Sequence, residues 1–62
     1  MDAYDVLIGQ IDEKVTSVKD YIASGHAENY EAYKKLCGEI HGLLVARGYI
    51  LDLKQNLEHS DD

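Results

Sequence analysis

The chain of 62 residues contains no proline, no tryptophan and no phenylalanine, and Cys37 is its single cysteine. One cysteine excludes a disulfide within these residues, and a free thiol suits a reducing compartment. Five tyrosines supply all of the aromatic surface. The chain is short for an independent core, because a domain of this size buries only about 60% of its unfolded surface.

Basic residues are also scarce: six Lys and Arg stand against twelve Asp and Glu, which gives a net charge of −6. Binding to a nucleic-acid backbone needs clustered cations, and only Lys34 and Lys35 are adjacent. Direct binding of DNA or RNA is therefore disfavoured.

Long apolar runs are missing, since none approaches the ~18 residues of a membrane span, and no basic-then-apolar leader opens the chain. We expect no membrane partner and a soluble protein in the cytoplasm. That would be the host cytoplasm if the chain is viral, and a place in the virion stays open.

The first third of the chain carries large residues in an unbroken 3-4-3-4-3-4 spacing, which is typical of one apolar stripe on a helix. These residues are Met1, Tyr4, Ile8, Ile11, Val15, Val18 and Ile22. The spacing predicts a helix over about 3–23, with Asp2 as N-cap and Gly25 in the left-handed position after its end. The short linker 24–28 favours an antiparallel neighbour.

A second helix is predicted over about 29–58, with Asn29 as N-cap and an acidic tail at 59–62. We predict one domain, 1–62, of the all-α class: an antiparallel two-helix hairpin in which Ile11 faces Leu43 and Leu44 while Val15 faces Ile40. The predicted seam between the helices comprises Tyr4, Ile8, Ile11, Val15, Val18, Ile22, Tyr33, Leu36, Ile40, Leu43, Leu44, Arg47 and Ile50.

The second helix has another non-polar face, nearly opposite the seam at 100° per residue. It is formed by Gly38, Gly42, Val45, Ala46, Tyr49 and Leu53. A helix in a hairpin needs only one apolar face, so the second face predicts a second copy and a four-helix bundle as a homodimer or a higher oligomer. The alternative is that Tyr49 and Leu53 are ordinary exposed apolar residues.

Gly38 and Gly42 lie one turn apart inside the second helix, where each costs about 0.8–1 kcal/mol relative to alanine. Small residues four apart allow a close approach of another backbone, which we expect here. The alternatives are a local kink, or a helix that breaks at Gly38 or Gly48.

Arg47 lies in register with the seam, where we expect it to meet Ile8 and to pair with nearby Asp5 or Asp12. The alternative role is the binding of an anionic ligand.

Cys37 and His41 are spaced i, i+4, but two ligands do not make a structural zinc site. A catalytic dyad would need a pocket and a third orienting group. We therefore predict no catalytic, cofactor-binding or metal-binding residue, no cofactor and no enzyme activity.

The stretch from Ser24 to Leu53 resembles small acidic proteins of unassigned function from tailed bacteriophages. Those proteins share an apolar first helix, a Ser-Gly turn, a Gly-x-Ile-x-Gly-Leu core and an acidic tail. The matching residues here are Ser24-Gly25, Asn29-Tyr30, Tyr33, Leu36-Cys37-Gly38, Ile40, Gly42-Leu43, Ala46, Tyr49-Ile50 and Leu53. The resemblance implies a phage origin and brings no established activity.

Together these features predict a non-enzymatic, self-associating protein-interaction module that is accessory to phage assembly or host takeover and also binds another viral or host protein. The alternative is an acidic inhibitor that mimics nucleic acid at the site of a host enzyme or defence system. Acidic surfaces also simply keep small proteins soluble.

Overall fold

A computed structural model describes residues 1–59 of the chain. It contains two helices, α1 (Ala3–Ala23) and α2 (Tyr30–His59), packed against each other as a hairpin, and the described residues contain no strand. The predicted all-α hairpin is confirmed. His59, predicted as the first residue of the tail, ends α2, and the rest of the predicted acidic tail lies outside the described residues.

Both helices begin at a side-chain cap. The Asp5 backbone N–H donates to Asp2 Oδ1 over 2.9 Å, and the Ala32 backbone N–H donates to Asn29 Oδ1 over 2.8 Å. Each cap satisfies one of the free N–H groups of a first helical turn. The starts of α1 and α2 are therefore fixed by local chemistry.

The turn after α1 is built on Gly25, whose φ of +79° lies in the left-handed region. The Gly25 N–H donates to the Ile22 carbonyl over 3.0 Å, and the His26 N–H donates to the Tyr21 carbonyl over 3.4 Å. These two bonds form a Schellman motif. The His26 ring stacks on the Tyr21 ring with centroids 5.0 Å apart, so the reversal is packed as well as hydrogen-bonded.

Helix α2 is continuous over 30 residues and passes through Gly38, Gly42 and Gly48 without a break. The alternative of a helix interrupted at Gly38 or Gly48 is therefore excluded. Its length leaves α2 nine residues longer than the 21-residue α1.

The seam between the helices is thin. Only Val15 and Val18, at 5% and 6% exposed, are buried among the described residues. Nine other predicted seam residues are half-buried: Tyr4, Ile8, Ile11, Ile22, Leu36, Ile40, Leu43, Arg47 and Ile50.

Two residues of the predicted seam are more exposed than the others. Tyr33 is 44% exposed and Leu44 is 46% exposed. Ala32, which was not predicted there, is half-buried. A helical wheel identifies an apolar sector but does not fix where the axis of the neighbouring helix lies, and α1 packs to one side of the predicted sector.

The hairpin is a single layer of two helices, with Cα extents of 52 × 19 × 11 Å. Its Cα radius of gyration is 14.9 Å, against about 10.6 Å for a compact domain of this length. Neither helix, as far as the chain is described, has a stretch long and apolar enough to cross a bilayer.

Candidate interaction surface

Ion pairs mark one flank of the seam. Arg47 Nε lies 2.7 Å from Asp12 Oδ1, and Lys54 Nζ contacts the Asp5 carboxylate. The two acids are seven residues apart on α1, and the two cations are seven residues apart on α2. Residues seven apart lie within ~20° of each other on a helix. We call this side, with Asp5, Asp12, Arg47 and Lys54, the ion-pair flank.

The cations of this flank are held by more than one contact. Arg47 Nη2 also lies 3.4 Å from Asp12 Oδ2, while Lys54 Nζ lies 3.7 Å from Asp2 Oδ2 and 3.9 Å from Glu58 Oε1. Lys54 therefore stands among three carboxylates at the open end of the hairpin.

The protonation equilibria follow this geometry. The hydrogen bond from Lys54 lowers the pKa of Asp5 below its usual 3.8, and the same bond raises the pKa of Lys54 above its usual 10.5. The hydrogen bond to Asp12 and its negative charge raise the pKa of Arg47. Each shift favours the charged form, so these residues act as ion-pair partners across the seam.

The sequence predicted that Arg47 pairs with Asp5 or Asp12, and in the structure its partner is Asp12. Lys54 was missed altogether. The signal that points to it is its spacing: Lys54 follows Arg47 by seven residues, as Asp12 follows Asp5.

The opposite flank of the seam is marked by Lys14 and Glu39, whose Nζ and Oε1 lie 3.9 Å apart. Seven-residue steps from Glu39 reach Ala46 and then Leu53, which therefore share its side of α2. The predicted second face of α2 thus begins at the edge of this flank and extends away from α1.

That second face comprises Gly38, Gly42, Val45, Ala46, Tyr49 and Leu53. Tyr49 is 70% exposed, Leu53 is 49% exposed and Val45 is 39% exposed, while Ala46 is half-buried and both glycines are exposed. No charged residue belongs to the face. It is an uncharged strip that covers 15 residue steps, about 23 Å at 1.5 Å per residue.

Gly38 and Gly42 have open space where a side chain would stand. A Cβ atom added at either position would meet no neighbouring atom within 4 Å. The close packing expected at these glycines is therefore not packing between α1 and α2.

Cys37 and His41 do not form a site. The Cys37 thiol is free and half-buried, and His41 is exposed. A hydrogen bond with Cys37 raises the pKa of the Tyr33 phenol one turn earlier. Among the described side chains no group of three or more His, Cys, Asp or Glu is placed to hold a metal ion.

Three grooves are present on the surface of the described residues. One of about 350 Å³ lies at the turn beside Tyr21, His26 and Lys35, and one of about 260 Å³ adjoins it beside Lys14 and Glu39. A third, of about 490 Å³, is lined by residues of α1 alone, from Asp12 to Asp20. All three open widely to solvent, and none surrounds a bound molecule as a ligand pocket does.

Comparison with known proteins finds no matching family model, no matching curated protein and no matching solved structure.

Proposed function

We propose that the chain is a non-enzymatic protein-interaction module that self-associates through the second face of α2 to form a four-helix homodimer. Further proteins then bind to the dimer. Following the resemblance to tailed-phage proteins, the proposal includes a role as an accessory to phage assembly or to host takeover.

The observation that carries this proposal is an excess of surface. The accessible area is 4829 Å² for a chain of 7.0 kDa, whereas a compact monomer of that mass exposes about 4,000 Å². The excess of about 800 Å² equals what one partner buries in an interface of standard size. The exposed side chains of the second face, Tyr49, Leu53 and Val45, supply an uncharged part of this surface.

The small core of the hairpin also favours self-association, because the folded monomer has little buried apolar surface to stabilise it. Two buried valines are a small core, and chains of this size usually need a disulfide, a metal or oligomerisation to be stable. Cys37 has no partner cysteine in the sequence, and the described residues offer no metal site. Oligomerisation would stabilise a chain with so small a core.

Sedimentation equilibrium at micromolar concentration tests the proposal, with an expected mass of twice 7.0 kDa. The melting temperature should rise with protein concentration, because association stabilises the folded state by mass action. A monomer whose melting temperature is independent of concentration would refute self-association.

Tyr49 and Tyr30 provide a matched pair of variants, since both side chains are 70% exposed on α2. Tyr49 belongs to the second face, whereas Tyr30 is off the face and packs near Tyr33 and Lys34. Tyr49→Ala should yield monomers, and Tyr30→Ala should leave the dimer intact. Equal effects of the two substitutions would remove Tyr49 as an anchor of the interface.

The cellular role has a separate test, which is purification of the tagged dimer from host lysate with and without phage infection. Capsid, portal or packaging proteins would support a role in assembly. A nuclease, polymerase or restriction complex that nucleic acid displaces would instead support the acidic-mimic alternative.

The acidic-mimic alternative must account for acids that already have partners within the chain. Asp2, Asp5, Asp12, Glu39 and Glu58 all lie within ion-pair distance of a lysine or arginine. Mimicry predicts that target binding weakens steeply with salt. Asp20→Lys is a cleaner probe than reversal of Asp12 or Glu39, because it breaks none of these pairs.

A further inference from the structure

We draw no further inference here: the strongest candidate, the groove at the turn beside Tyr21, His26 and Lys35, opens widely to solvent, and nothing in the structure shows what covers it.

Discussion

Replacement of Val15 by alanine should destabilise the hairpin far more than the same replacement at Val6. Both valines are on α1, but Val15 is 5% exposed and Val6 is 48% exposed. The two variants remove the same atoms from the same helix. They therefore share the gain in helix propensity that alanine brings, up to about 0.7 kcal/mol, and differ in the burial of those atoms.

The magnitude follows from the two carbon groups that Val15→Ala removes from the seam. At about 0.8 kcal/mol for each buried CH₂ group, the lost transfer free energy is about 1.6 kcal/mol. A residual cavity would add to this loss. With an unfolding entropy of about 2.1 cal/mol/K per residue, a chain of this length loses about 12 °C in melting temperature for 1.6 kcal/mol.

Thermal unfolding followed by far-UV circular dichroism measures this difference, with all variants at one chain concentration because association contributes to stability. Val6→Ala should melt at or slightly above the wild-type temperature, and Val15→Ala should melt well below Val6→Ala. Equal melting temperatures for the two variants would refute the assignment of Val15 to the core.

Three further predictions concern the ion-pair flank and the turn. Lys54→Met should flatten the pH dependence of stability at both ends. Because the pKa of Asp5 is lowered in the folded state, this residue stabilises the fold above pH 3.8, and that stabilisation is lost as the pH falls through the folded-state pKa of Asp5. Because the pKa of Lys54 is raised, this residue stabilises the fold below pH 10.5, and that stabilisation is lost as the pH rises through the folded-state pKa of Lys54. A double-mutant cycle with Arg47→Met and Asp12→Asn should give a favourable coupling that disappears in 1 M salt, and a coupling independent of salt would contradict the ion pair. Gly25→Ala should cost roughly 1–2 kcal/mol in urea unfolding, because φ at this position is +79°, and an unchanged midpoint would contradict the left-handed turn.

The parts of the fold that depend on neighbours in sequence could be predicted. Asp2 and Asn29 cap the helices because their side chains reach an N–H three residues later, and Gly25 ends α1 because it tolerates a positive φ. The seam residues of α1 are likewise evident from their spacing. In each case the information lies within a few residues of the position concerned.

The features that depend on the placement of one helix against the other could not be predicted as well. Tyr33 and Leu44 belong to the apolar sector of α2, but the position of α1 around that sector leaves them exposed. Lys54 meets Asp5 across 49 residues of sequence, and no local pattern specifies such a contact. The second face was predicted from the helical spacing of its residues, whereas the empty space at Gly38 and Gly42 required coordinates.

The paired seven-residue spacings on the ion-pair flank have a consequence for the uniqueness of the fold. A seam of aliphatic side chains is tolerant of sliding, because one valine or isoleucine packs against the next almost equally well. The charges are less tolerant: a shift of α2 by one turn, 5.4 Å, moves Arg47 away from Asp12 and Lys54 away from Asp5 at the same time. A shift of two turns brings Arg47 opposite Asp5, but it leaves Asp12 without its cation and carries Lys54 beyond the start of α1. Only one axial alignment of α1 and α2 therefore forms both ion pairs.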